Sequence, residues 1–433
     1  MLRRARPAVR VAPRMHSIGT LIIGGGVAGA SLACSLAERG SAGGAGDGGD
    51  GGKGVAIVDI DVFGKYNSSE LNGGGVRCTF AEPINIKLSL ASTRYYLEHT
   101  KKFDFRQRGY FWMYDEELWE ESKQFLPLVR SFGLPVEEMT PAQVREKFPV
   151  LSDVSDLAGA TFTPFDGRLS PHRLRMHYLD HAQRGGVQLL DRWEVVAVEG
   201  TNAPFTVRMK RVPPRQIKKI LTKDSDAKAQ ATDRDELVVR ADRIVNAAGP
   251  WAPRVARLYG RELPVTPLPR QVYLLKHPEV NLEPLPFFLD YPQDIYFRFY
   301  ERDRDCCTLV SWSDPDEPTR IDYTNHGAAY YDQHVKPRLV KRIAAMADAE
   351  LVGGFVGHYE LSPDKGAIVG AVPDREGIFN YCGLSAHGVM QSRALGEAMA
   401  QLLVGGAWPA EMNLDELSEA RFGKKLLSES MYV

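Results

Sequence analysis

Residues 20–40 read TLIIGGGVAGASLACSLAERG, and residues 53–61 read KGVAIVDID. Leu21 to Ile23 is a short apolar run, Gly24, Gly26 and Gly29 fall at the spacing G-x-G-x-x-G, and Ala30 to Arg39 has the small and aliphatic residues of a buried helix. The pattern predicts strand, tight turn and helix. In such a unit the first glycine allows the turn, the second lets the backbone approach a pyrophosphate, and the third packs the helix on the sheet. Free N–H groups at Val27 and Ala28 would face that pyrophosphate. A second strand over Val55 to Val58 ends at Asp59, next to Ile60, where a carboxylate can accept ribose hydroxyls. The acid lies beyond the usual spacing of about 20 residues because residues 41–52, SAGGAGDGGDGG, intervene as a surface insertion. One continuous apolar helix, even a membrane span, is the competing reading, since Thr20 to Ala37 carries no charge. The glycines packed between the two runs count against it.

The whole chain sets bounds on what this unit serves. Its 433 residues, 44% of them hydrophobic, favour two domains over one. A formal net charge of −1 excludes nucleic acid or an anionic membrane as the main partner. Cys34, Cys78, Cys306, Cys307 and Cys382 are scattered without a C-x-x-C pair, so neither a disulfide framework nor a metal site is indicated. Arg3, Arg4, Arg6, Arg10 and Arg14 precede the first acid, Glu38. A basic, acid-free leader over 1–17 is read as a mitochondrial transit peptide, with the matrix as destination. A basic tail, or a start codon misplaced ahead of Met15, leaves a cytoplasmic protein as the alternative.

Along the chain, Ser68, Ser69 and Gly73 to Gly75 form a second hydroxyl-bearing loop, followed by Arg77 and a helix over Ile84 to Tyr96. Phe103 to Tyr114 alternates as a strand, and helices follow over Glu117 to Gly133 and Thr140 to Phe148. Ser170 is placed to cap a helix from Pro171 to Arg184. Gly186 to Gly200 and Phe205 to Arg211 read as two paired strands, and the lysine-rich stretch 212–236 as an insertion without chemistry. Ile244 to Asn246 is a buried strand ending in Ala247, Ala248 and Gly249, before a helix over Trp251 to Leu258. Pro264 to Leu275 and Asp294 to Trp312 alternate as antiparallel strands, and Asp322 to Met346 reads as helix. Gly383 to Gly388 lies between a strand and the last helix, a second helix N-terminus for a cofactor.

In this order GGGVAG, the acid after the second strand, GGGVRCTF, DGRLSPHRL, RIVNAAGPWA, PRQVYLL, YFRF, ELSPDKGAIVG and LSAHGVMQSRALGEAMA resemble the flavin-dependent amine oxidases and dehydrogenases of the D-amino-acid oxidase group. The likeness is to the branch with sarcosine oxidase, dimethylglycine dehydrogenase and glycine oxidase. It implies an α/β and α+β chain, with a Rossmann-like FAD-binding domain over 18–95, 150–260 and 350–410. An antiparallel-sheet substrate domain would take 96–149 and 261–349, and 411–433 would be a tail. It also implies FAD, with Gly24, Gly26, Val27, Ala28, Gly29, Asp59 and Ile60 at the ADP half and Val195 at the adenine. Ala248, Gly249 and Trp251 would lie along the cofactor, and Ser69, Gly74 and Gly75 would border the isoalloxazine. Gly383, Ala386, His387, Gly388, Val389 and Met390 would face its pyrimidine side, with His387 a flavin neighbour. Gly357 and the Leu71–Asn72 pair stand where relatives attach flavin covalently through cysteine or histidine, so non-covalent FAD is expected.

The reaction implied is hydride transfer from the carbon beside an amine to flavin N5, followed by imine hydrolysis. The substrate would be a small amine or amino acid, and oxygen, an electron-transfer flavoprotein or a quinone would accept the electrons. Arg77, Arg298 and Arg270 are candidate carboxylate clamps, since a guanidinium matches a carboxylate bidentately. Tyr296, Tyr273 and Tyr359 are candidate walls. The branch also includes a mitochondrial protein of respiratory complex I assembly, so an assembly factor with little amine turnover is the second reading. No transmembrane segment is expected.

Overall fold

A computed structural model describes residues 16–40, 54–222, 236–302, 305–424, 426–427 and 429–431. Most of the basic leader, residues 1–15, and the glycine-rich insertion at 41–52 lie outside the described residues. His16–Ile23 is the middle of a sheet, and its Leu21 and Ile22 are fully buried. Such a strand needs cover on both faces. Glu236–Asn246 and Val55–Asp59 pair with it in parallel on either side, and Ile378–Cys382 and Gln188–Asp191 extend the sheet in parallel. Val27–Glu38 is the crossover helix, and the last long helix, Gly388–Gly405, lies against it. Their approach depends on Gly396, where a Cβ would come within 2.8 Å of Ser31 Oγ.

The second sheet has eight strands, in the order Glu350–Leu361, Thr266–Lys276, Asp305–Trp312, Ile295–Arg302, Phe287–Asp290, Tyr110–Tyr114, Gly159–Thr163 and Glu137–Met139. It is antiparallel apart from the parallel pair Phe287–Asp290 and Tyr110–Tyr114. Period-two alternation divides its faces. Tyr110, Trp112 and Tyr296 join the core shared with the two long helices, while Phe111, Met113, Ile295 and Phe297 join the core beneath the sheet.

Several expectations need correction. Gly159–Thr163 and Glu350–Leu361 belong to the second sheet, so the expected boundaries at 150 and 350 cut through it. Gly186 to Gly200 is two strands: Arg192 adopts the left-handed conformation (φ 61°), so Gln188–Asp191 joins the parallel sheet and Trp193–Glu199 pairs with Phe205–Arg211. The strand expected from Phe103 begins only at Tyr110, because Thr100–Phe103 is a helical turn closed by left-handed Asp104. The helix expected from Asp322 starts at Gly327, since the Asp322 carboxylate accepts the Thr324 N–H and holds a turn. In contrast, Pro171–Arg184 has the expected bounds, with Ser170 Oγ accepting the Arg173 N–H. The described part of the insertion, 214–222, holds a short helix that buries Ile217, Ile220 and Leu221 against Ile60, Tyr66 and Trp251.

One buried ion pair locks the second sheet to the helix beyond it. Arg342 holds Asp290 through Nε (2.5 Å) and a terminal nitrogen (2.9 Å), and neither side chain is exposed. Arg342 also donates to the partly buried Asp156 at 2.5 Å, so Asp290→Ala removes the fully buried carboxylate and leaves the guanidinium one other. The substitution is expected to lower unfolding free energy by about 1–3 kcal/mol, measured as a shift in the urea midpoint.

Candidate active site

The larger cavity, about 180 Å³, runs from Trp193 and Val195 past the glycine turn to Leu384 and Ala386. At its base the carboxylate of Asp59 accepts the Gly25 N–H (2.6 Å) and the Asp61 N–H (2.7 Å). Burial pushes its pKa up and these two bonds oppose that. Arg175 reaches the carbonyls of Gly25 (3.2 Å) and Val62 (2.6 Å) while paired with Glu70, which staples the turn to the Pro171–Arg184 helix. Ser69 lies at this turn, where its Oγ accepts the Val27 N–H at 2.8 Å and caps the helix that lacks a cap of its own.

Gly24, Gly26, Val27, Ala28, Asp59, Ile60, Ser69, Val195, Ala248, Gly249, Trp251, Ala386, Gly388 and Val389 line this cavity. Gly74, Gly75, His387 and Met390 line a smaller neighbour of about 110 Å³, which Ala386 and Val389 also border. Asn72, His358 and Tyr359 border both, so the two form one bent chamber. Gly29 and Gly383 line neither. A Cβ at Gly29 would meet Gly24 O at 2.0 Å, and one at Gly383 would meet Ile368 Cγ1 at 2.9 Å, so both serve packing.

Arg77, Arg270 and Tyr296 line the smaller cavity, with Tyr110, Phe287 and Leu289 as further walls. Arg298 does not. It shares the face of Tyr296, but its guanidinium turns to the carbonyls of Gly73 and Phe299, and burial lowers its pKa to about 10. Tyr273 points to the opposite face and packs on Tyr331, 5.3 Å between ring centres, so it is no wall of the chamber. Among the described residues six arginines are buried: Arg77, Arg175, Arg270, Arg298, Arg342 and Arg421. Arg175, Arg342 and Arg421 each hold a carboxylate, of Glu70, Asp290 and Asp364. Arg77, Arg270 and Arg298 hold none among the described residues.

Residues 20–402 match the family described as "FAD dependent oxidoreductase". The chain belongs to this family. FAD-dependent oxidoreductase domain-containing protein 1 of Xenopus laevis is 26% identical over 435 residues, covering 93% of this chain and 82% of that protein. Mitochondrial sarcosine dehydrogenase of Mus musculus is 20% identical over 307 residues, 69% of this chain but 30% of its own length. Among solved structures, L-proline dehydrogenase from P. horikoshii superposes with a TM-score of 0.77 at 20% identity, covering 95% of this chain and all of that one. Glycine oxidase from Geobacillus kaustophilus gives 0.73 at 21% identity, over 94% and 99% of the two chains.

In this FAD-dependent oxidoreductase a segment expected to be a tail holds Arg77, which lines the smaller cavity, and the start of a helix beside it. Glu429 accepts from Ala81 N (3.1 Å), Glu82 N (3.3 Å) and Asn85 Nδ2 (2.9 Å), capping the helix Pro83–Glu98. Two residues on, the Met431 carbonyl accepts from Arg77, which also donates to Thr79 O and stacks 4.0 Å above the Phe80 ring. Arg77 further approaches His387 Nε2 at 3.3 Å. Arginine can only donate, so Nε2 is the acceptor and Nδ1 carries the hydrogen. Burial and the Arg77 charge hold the His387 pKa well below its ordinary value, so the ring is neutral. The turn before it is strained: Ser385 (φ 48°) and Ala386 (φ 69°) are both left-handed. Glu429, Met431, Arg175, Leu221 and the aromatic pair Tyr110 and Phe287 were not singled out in sequence. A backbone carbonyl or a lone acid in a tail carries no pattern that could flag it.

The glycine cradle, a helix N-terminus and a carboxylate past the second strand suit a dinucleotide, with the Val27 N–H expected at the pyrophosphate already taken by Ser69 Oγ. Gly24 has φ 116°, and a Cβ there would lie 2.2 Å from Ala247 O. Gly24→Ala is expected to weaken FAD binding by at least about tenfold, or about 1.4 kcal/mol, read as the flavin content of the folded protein. Glu429→Ala should cost about 1–3 kcal/mol in thermal unfolding and change the visible flavin spectrum through Arg77.

Proposed function

We propose that this oxidoreductase oxidises the C–N bond of a small amine that carries a carboxylate, a sarcosine-, dimethylglycine- or glycine-like compound. The observation that carries this reading is Arg270. The residue is 7% exposed and borders the smaller cavity, and its guanidinium lies 5.4 Å from the Tyr359 ring centre and pairs with no carboxylate among the described residues. A buried cation without a counter-ion is costly unless a ligand supplies one. FAD, held non-covalently in the larger cavity by the cradle of Gly24 and Gly26, Asp59, Ala248 and Gly249, would supply the hydride acceptor. Gly357 supports non-covalent binding, since it has no side chain and packs on Leu71 O.

The chain's own tasks follow from the cavity. Arg270 holds the substrate carboxylate, with Arg77, anchored by Thr79 O and Met431 O, as a second positive charge bordering the same cavity. Tyr110, Phe287, Tyr296 and Tyr359 wall it off from water, which strengthens every electrostatic contact inside. Neutral His387 adds no charge that would repel an amine. The N–H groups at the start of Gly388–Gly405, with their helix dipole, stabilise negative charge gathered beside them. The basic leader and the mitochondrial relative support a mitochondrial location. The electron acceptor would be oxygen, an electron-transfer flavoprotein or a quinone.

An anaerobic absorbance titration with sarcosine, dimethylglycine, glycine, proline and D- and L-amino acids tests this. Bleaching of the flavin by one of them at low concentration is the expected result. A flavin that no amine reduces would favour the second reading, an assembly factor with little amine turnover. Arg270→Met should raise the substrate concentration for half-reduction on the order of a hundredfold, about 3 kcal/mol, with flavin still bound. Arg298→Met, which does not border the chamber, should have a much smaller effect on that concentration.

A further inference from the structure

Glu360 is a cavity-facing acid whose charge nothing above accounts for. It is the penultimate residue of the strand Glu350–Leu361 and faces the larger cavity between two turns: its Oε2 accepts the Gly383 N–H at 3.1 Å, and a Cβ on Gly249 would lie 3.6 Å from the same oxygen. The Leu384 N–H also points to it. No lysine or arginine pairs with it among the described residues. Asp59 differs, because both of its oxygens are used as acceptors by backbone N–H groups, at 2.6 and 2.7 Å. That is the setting of a fixed carboxylate.

The surroundings of Glu360 offer no compensation. From the strand Ile378–Cys382 it faces Tyr381 and Cys382, whose phenol and thiol are both held neutral by burial and by Glu360 itself. On its own strand His358 is neutral, its pKa held down to about 4 by burial while it accepts the Asp322 N–H. The turn 247–251 brings no titratable group, and Arg254 beyond it is paired with Glu194. His387, past the Gly383 turn, is also neutral. The other ionisable groups lining the cavity, Asp59 and Asp61, are acids, and FAD adds the negative charges of its pyrophosphate. Filling the cavity closes the carboxylate off from solvent, and a buried charge without a partner neutralises instead.

We propose that Glu360 takes up a proton from solvent when FAD fills the cavity, and serves there as a neutral hydrogen-bond donor to the cofactor. Burial already pushes its pKa up to about 7 in the open cavity, so the proton is readily available near neutral pH. The sign follows from linkage. A group whose pKa is about 7 when free and higher when bound favours binding fully below the free value. That contribution is lost as pH rises toward the bound value.

The test is equilibrium release of flavin from the diluted holoprotein, followed by the fluorescence of free FAD between about pH 6 and 9. The dissociation constant is expected to be constant at the acid end and to rise toward tenfold per pH unit above neutrality. Glu360→Gln keeps a donor without the charge, and should show a nearly flat profile with binding at pH 8–9 at least as tight as wild type. A flat wild-type profile, the same slope in Glu360→Gln, or weaker binding by Glu360→Gln at every pH would overturn the proposal. If the variant does not fold, an infrared difference spectrum of wild type decides. A protonated-carboxyl band lost on flavin release supports the proposal, and no such band overturns it. The inference rests on FAD occupying the larger cavity. Protein that binds no flavin at any pH would overturn that assignment, whereas bound flavin with a flat profile overturns only the proton uptake.

Discussion

Three backbone segments meet at Gly24 with no room for a side chain. Gly24 N donates to Val58 O at 2.9 Å, Ala247 N donates to Ile23 O at 2.9 Å, and a Cβ on Gly24 would strike Ala247 O. Gly29 closes the same contact from the helix side, lying against Gly24 O. Three strands and the crossover helix therefore converge on one point, and the chamber opens just above it. The second sheet, the C-terminal segment and the insertion helix are arranged around the opening.

The chamber concentrates uncompensated charge. Among the other buried arginines of the described residues, Arg175, Arg342 and Arg421 are neutralised by carboxylates and Arg298 is held by backbone carbonyls, whereas Arg77 and Arg270 border the chamber with no carboxylate of their own. The nearby carboxylate of Asp166 is occupied by Cys78 N, Thr79 Oγ1 and Thr163 Oγ1, and burial pushes its pKa up to about 6. Its field helps to hold Arg77 without capturing it. Such an arrangement costs stability in the absence of ligand and is recovered when an anion binds. Leaving Arg77 and Arg270 without a carboxylate departs from the pairing of Arg175, Arg342 and Arg421, and departures of this kind concentrate at functional sites.

What could be read from the sequence was local. The glycine turn, the acid after the second strand and the Ser170 cap each declare themselves within a few residues, because turn geometry and capping are short-range chemistry. Register was harder: Tyr273 and Tyr296 both sit in alternating aromatic strands, and only the pairing Tyr273↔Val310 and Tyr296↔Ser311 decides that they face opposite sides. Arg298 illustrates a finer limit, since it shares the correct face and still turns into the loop at Gly73. The stretch 212–236 reads as charged and aperiodic, yet Leu221 reaches the chamber and its carbonyl accepts Trp251 Nε1 at 2.9 Å. No periodicity could reveal a single helical turn of that kind. The Met431 carbonyl is more hidden still, because any residue type would provide it.

The C-terminal contact links pieces of the chain that have no sequence neighbours in common. Glu429 fixes the start of the helix Pro83–Glu98, Asn85 on that helix accepts from Gln391 at 3.2 Å, and Gln391 belongs to the helix headed by His387. Met431 meanwhile holds Arg77, which sets the His387 tautomer. Both routes end at the same helix N-terminus, one through packing and one through charge. A strained turn at Ser385 and Ala386 can persist only if its surroundings over-determine it. Ser385 Oγ accepts Ser362 N at 3.1 Å from below, and the 429–431 segment braces the helix from the other side. Residues 429–431 thus act on the chamber through Arg77, although they lie more than three hundred residues from the arginine they hold.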